Sequence, residues 1–236
     1  MTEPTQDLAQ FLEQTLLAPS LSETDIAQGC ELARRYAVAA VIVRPSDLDL
    51  VINWLRGSSV ALGTIIDVPF GHSTTAAKLF AARDALRRGA KEIETVMNTG
   101  KLISRQFQYL ETELLQMADS CHASGAILKV TLESEHLNEE LKIVACRIAK
   151  RVGADYLGAS TLEDIALLKS RIKVRAAVAN LDDAVAFREA GCERLHSTQA
   201  GSILEAWKAS IVGHALACPQ SDSPVRTTKP LPLLSS

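Results

Sequence analysis

The stretch Arg151-Val-Gly-Ala-Asp-Tyr-Leu-Gly-Ala-Ser-Thr161 contains the end of one helix, a glycine turn, a short strand and the start of another helix. Gly153 supplies the turn, and residues 156–160 read as extended chain. Thr161 is followed three residues later by Asp164, a variant of the capping box that opens a helix. A strand entered from one helix and left into the next is the unit of a parallel α/β sheet. Ligands bind at the C-terminal ends of such strands. At this end the chain carries Gly158, Ala159 and Ser160, with no amine, imidazole or carboxylate.

Outward from this stretch the unit repeats. Apolar or alternating runs at residues 38–43, 62–68, 92–97 and 126–133 precede it, and runs at 173–177 and 194–197 follow. Helical segments separate them: 22–36, opened by the capping box Ser22-Glu-Thr-Asp25, then 46–55 capped by Ser46, 75–89, 106–124, 138–152, 162–169, 181–190 and 202–217. A brief extended piece around Thr15 completes about eight strands. Eight alternating units predict an α/β chain folded as a single-domain (β/α)8 TIM barrel over residues 1–217. Residues 218–236 hold four prolines without periodicity and read as a flexible Pro-rich tail.

The totals agree with one barrel. The 236 residues are 47% hydrophobic and only 4% aromatic, as suits a helix-covered parallel sheet. A net charge of −3 gives no nucleic-acid footprint. No apolar run is long enough to span a membrane, and the N-terminus does not read as a signal peptide. Cys30, Cys121, Cys146, Cys192 and Cys218 have no CxxC spacing and read as reduced cytoplasmic thiols.

Strand side chains alternate, so period-two sets line the barrel interior. Lys129, Thr131 and Glu133 share one face; so do Glu94, Val96 and Asn98, and so do Lys173, Arg175 and Ala177. Arg44 and Asp67 end the second and third strands, and Glu13 and Thr15 lie near the first. Taken singly, each charged residue reads as half of a structural ion pair; several converging from different strands read as a site. His72 and His196 can reach the mouth, but no His-x-His or His-Glu-x-x-His spacing supports a metal site. No GxGxxG or P-loop is present, so no cofactor is expected.

The order of short motifs resembles the deoxyribose-phosphate aldolase family. Residues 12–19, Leu-Glu-Gln-Thr-Leu-Leu-Ala-Pro, are similar to the family's Ile-Asp-His-Thr-Leu-Leu-Lys-Pro. The segment from Ile66 through Asp67-Val-Pro-Phe-Gly-His72 is similar to its Gly-Phe-Pro-x-Gly segment. Glu92-Ile-Glu-Thr-Val-Met-Asn98 resembles Glu-Ile-Asp-Met-Val-Ile-Asn, and Leu128-Lys-Val-Thr-Leu-Glu133 resembles Leu-Lys-Val-Ile-Ile-Glu. Ala154-Asp-Tyr-Leu-Gly-Ala-Ser-Thr161 resembles the family's Schiff-base strand, Ala-Asp-Phe-(Val/Ile)-Lys-Thr-Ser-Thr.

The resemblance implies an aldehyde-lyase barrel in which a lysine amine attacks a carbonyl, a second lysine depresses its pKa, and an aspartate shuttles protons. At the matching positions this chain has Gly158, Arg175 and Glu94. The family's glycine-rich phosphate loops are matched by Ser160–Thr161, Val178–Ala179 and His196-Ser-Thr-Gln199. Two main expectations stay open, beside other barrel chemistry such as metal-assisted lyase or isomerase reactions. One is a barrel without Schiff-base activity that serves as a binding or regulatory pseudoenzyme. It would take a small carbonyl or sugar-phosphate ligand, or work with a protein partner, an active paralogue or a second copy of itself. The other is an active carbon–carbon lyase with Lys129 as a relocated amine. The expected catalytic residues are Lys129 and Glu94; the expected substrate-binding residues are Arg175, Glu133, Asp67, Arg44, Thr15 and Ser160.

Overall fold

A computed structural model describes residues 4–217. Helix α1 (Pro4–Phe11) leads into β1 (Leu12–Leu16), and α2 (Glu23–Tyr36) into β2 (Ala40–Val43). Then come α3 (Leu48–Trp54), β3 (Ala61–Ile66), α4 (Thr75–Arg87), β4 (Glu92–Val96), a short α5 (Thr99–Ile103) and α6 (Phe107–Ala123). The second half runs β5 (Ile127–Thr131), α7 (Glu139–Arg151), β6 (Tyr156–Ala159), α8 (Leu162–Leu168), β7 (Val174–Ala177), α9 (Leu181–Glu189), β8 (Arg194–Ser197) and α10 (Ala200–Ala217).

All strand pairings are parallel, and β8 pairs with β1, which closes an eight-stranded barrel. The expected (β/α)8 barrel is therefore present; the tail expected at residues 218–236 lies outside the described residues. The strand alternation sorts side chains into two populations. One parity (Leu12, Val41, Ile93, Leu128, Val130, Leu157, Val174, Leu195) is buried in the apolar layer beneath the helices. The other parity carries Glu13, Glu92, Glu94, Lys129, Tyr156, Gly158, Arg175, Arg194 and His196 into the barrel. Barrel interiors are ordinarily filled by branched aliphatics; here Ala40, Ile42 and Val96 share the inward parity with six charged residues.

The helices begin where short polar side chains can accept free N–H groups. Ser22 and Asp25 form the expected capping box on α2, and Thr161 accepts the Asp164 N–H at 3.1 Å to open α8. Two local expectations are corrected. Ser46 caps no helix: residues 45–47 form a 3-10 turn in which Arg44 Nε donates to Asp47 at 2.6 Å. Asn98, read as a strand position, caps α5 by accepting the Lys101 N–H at 3.0 Å.

Candidate functional site

The site starts from Lys129 at the centre of β5. It is fully buried, and its ammonium donates to Glu13 Oε2 at 3.0 Å and to Glu92 Oε2 at 2.8 Å. These carboxylates come from β1 and β4, so the lysine ties three strands together across the barrel. Burial works to raise the Glu13 pKa, but Lys129, Arg175 and Arg194 outweigh it and hold the carboxyl at about 2.

Arg175 on β7 is the next layer up. Its register partner on β6 is Gly158. With no side chain at Gly158, the guanidinium crosses β6 and donates to Glu94 Oε1 on β4 at 2.7 Å. It also reaches Thr131 Oγ1 on β5 at 3.5 Å and Glu13 Oε2 on β1 at 3.2 Å. Burial opposes its charge, yet Glu94 and Glu13 push its pKa above the usual arginine range. Glu94 is likewise lowered, with Arg175 and Lys129 overcoming desolvation. A Cβ built at Gly158 would lie 3.2 Å from the Thr131 Cα, so the inner surface of β6 is already close to its neighbour.

Arg194, near the N-terminal end of β8, lies 3.5 Å from Glu92 and stacks over the Tyr156 ring at 5.3 Å. The described inner face thus sets three carboxylates (Glu13, Glu92, Glu94) against three cations (Lys129, Arg175, Arg194). Uncompensated buried charge is costly, and here the formal charges cancel.

At the C-terminal ends of β1, β7 and β8 the barrel opens into a cavity of about 460 Å³. Thr15, Ala177, Asp183, His196 and Gln199 help line it. Desolvation, reinforced by Arg175, pushes the His196 pKa down to about 3, so its imidazole is neutral at pH 7. The Thr15 hydroxyl is buried without a hydrogen-bond partner among the described residues.

The sequence-named residues separate into two groups. Lys129, Glu94, Arg175 and Thr15 converge on the interior and mouth. Arg44 is engaged with Asp47 and the loop carbonyls of Ala18, Pro19 and Leu21. Asp67 accepts from the Ser73 backbone and hydroxyl at 2.7 and 2.8 Å, and Lys78 lies 3.6 Å away. Glu133 accepts from Thr99 at 3.1 Å. Ser160 is exposed, and its N–H points to Asp164, which burial would raise but Lys142 and Ser134 hold low. Sequence reasoning left out Glu92, Arg194 and Tyr156, which share parity with chosen neighbours but sit toward the N-terminal ends of their strands. It noted His196 as a histidine within reach of the mouth and as the start of the stretch matching a phosphate loop, but not as a site residue. Asp183 carried no signal, because a first-turn aspartate is ordinary helix chemistry.

No family model matches the chain. The deoxyribose-phosphate aldolase of Treponema denticola is 34% identical over 212 residues, covering 84% of this chain and 98% of that protein. The chain belongs to the deoxyribose-phosphate aldolase family. A second member, from Caldanaerobacter subterraneus subsp. tengcongensis, is 31% identical over 89% of this chain and 98% of its own length. Solved structures agree with the family assignment. QR15, an aldolase, superposes with a TM-score of 0.82 at 28% identity, covering 87% of this chain and 98% of its own. A putative deoxyribose-phosphate aldolase from Coccidioides immitis gives 0.81 at 27% identity, covering 86% of this chain and 87% of its own. Against this family background, the inner face of β6 carries Tyr156 and Gly158 and no amine.

Proposed function

We propose that this deoxyribose-phosphate-aldolase family member does not run Schiff-base chemistry and instead binds a small ligand non-covalently at the barrel mouth. It would act as a binding or regulatory protein in the cytoplasm, beside an active paralogue, another partner or a second copy of itself. The observation that carries this reading is the state of Lys129. Attack on a carbonyl needs a free amine lone pair and an approach path. Lys129 is fully buried and donates to two buried carboxylates, the geometry of an ion pair.

Arg175 and Lys173 do not fill the gap. Arg175 stays protonated and cannot serve as the nucleophile. Lys173 is exposed at the N-terminal end of β7, away from the mouth, with Nζ 5.7 Å from the Tyr156 ring. The alternative lyase, with Lys129 as a relocated amine, needs that lysine to leave Glu13 and Glu92 and open a path through a packed barrel.

The test is acetaldehyde release from 2-deoxyribose 5-phosphate by purified protein, read through a coupled dehydrogenase. The expected rate equals the enzyme-free control. Turnover that disappears in Lys129→Met while the variant remains folded would establish the lyase instead.

A further inference from the structure

Helices α1, α9 and α10 enclose a groove of about 300 Å³ in the outer layer of the barrel, lined by Leu8, Val185, Arg188, Glu189 and Trp207. Leu8 is buried at its base, and Val185 and Trp207 are half-buried in its walls. Arg188 stacks on the Phe11 ring at 4.7 Å, which ties α9 to the end of α1. Glu189 is exposed and has no hydrogen bond or ion pair among the described residues. An indole beside such a carboxylate suits a proline-rich segment with a basic flank. Prolines pack on aromatic rings as a preformed polyproline II helix, and the cation meets the acid.

The chain supplies that segment itself. Lys229-Pro-Leu-Pro-Leu-Leu234 holds two prolines, three leucines and one cation. It follows α10, the helix that carries Trp207. Trp207 lies ten residues before Ala217, about 15 Å of helix. Residues 218–229 separate Ala217 from Pro230 and span up to about 40 Å when extended. The segment therefore has the length to turn back and reach the groove. A tether of this kind gives an effective concentration on the order of millimolar, so an intrinsic affinity of about 0.1 mM fills the groove.

Two other outer grooves are poorer matches. One, between α4 and α6, is lined by Arg83 and Arg87; the other, beside α2, by Arg34 and Arg35. Neither has an aromatic ring among its described lining residues, and their arginines would repel Lys229.

We infer that residues 229–234 dock in the α1/α9/α10 groove of their own chain, with the prolines on Trp207 and Lys229 against Glu189. Docked there, the segment is a clasp that holds α1 to α9 and α10. It goes beyond the proposed function and does not depend on it.

Trp54→Phe leaves Trp207 as the one tryptophan of the full-length chain, so acrylamide quenching of its fluorescence tests the docking. In that background, replacing Pro230 and Pro232 by serine should raise the quenching constant about twofold, with the fold retained by circular dichroism, because the tethered cover is lost. Lys229→Glu and Glu189→Lys should each give a smaller rise, and the two together should restore the starting value. Quenching unchanged by the proline substitutions, or no recovery in the charge-exchanged pair, overturns the inference. Protection of Trp207 that fades on dilution would assign the groove to the segment of a second copy and overturns it as well.

Discussion

Lys129 has the environment of a structural cation. It links β5 to β1 and β4 through Glu13 and Glu92, with its whole side chain out of water. Breaking one partner of a buried pair leaves the others uncompensated and costs about 3–5 kcal/mol. Lys129→Met should therefore lower the urea unfolding free energy by roughly that amount. Adding Glu92→Gln should recover part of it, because the two sites share one network. An unchanged midpoint for Lys129→Met would mean the lysine bears little of the load. The sequence placed Lys129 and Thr131 on the inner face by strand period alone, and it named Glu94 and Arg175. It did not reveal which carboxylates Lys129 would meet, since Glu13 lies 116 residues away along the chain. That pairing is set by barrel closure, which no local pattern encodes.

At the scale of the strand, β6 is where residue and architecture meet. Gly158 lets the Arg175 guanidinium pass over β6 to Glu94 and Thr131. Its missing Cβ matters because the Thr131 Cα, part of a central strand, is 3.2 Å from where that atom would lie. Overpacking of this kind costs about 1–3 kcal/mol. Gly158→Ala should accordingly lower the melting temperature. A melting temperature raised by Gly158→Ala would show that the strand has room. The strands were readable because each is an apolar or alternating run bounded by turn residues. The short helix α5 was not, because Asn98 fits equally well as a strand end and as a cap, and only the tertiary turn after β4 decides between them.

The whole barrel carries a net-neutral charged interior, which ties its stability to pH. Glu13 titrates at about 2 in the folded barrel against 4.5 when unfolded. Its contribution is complete above pH 4.5 and is lost as pH falls toward 2, because the unfolded chain takes up the proton first. His196 has the same sign for a different reason: burial keeps it neutral to about pH 3, whereas the unfolded imidazole protonates near 6.5. Stability should begin to fall with pH from about 6.5, before Glu13 contributes. His196→Gln should flatten the slope of the urea midpoint between pH 6.5 and 4.5 relative to the unmodified protein. Equal slopes for the two proteins would contradict a His196 held neutral by its surroundings. The barrel itself followed from eight alternating units in the sequence, but the polarity of its filling became visible only when parity was read on every strand together.

The proposal that this chain runs no Schiff-base chemistry is tested most directly by borohydride reduction in the presence of 2-deoxyribose 5-phosphate and, separately, acetaldehyde, followed by intact-mass spectrometry and peptide mapping. The expected outcome is no stoichiometric adduct, with Lys129 unlabelled between Glu13 and Glu92. A single adduct per chain mapping to Lys129 would contradict it, showing that the amine leaves its carboxylates and that the barrel is an active lyase.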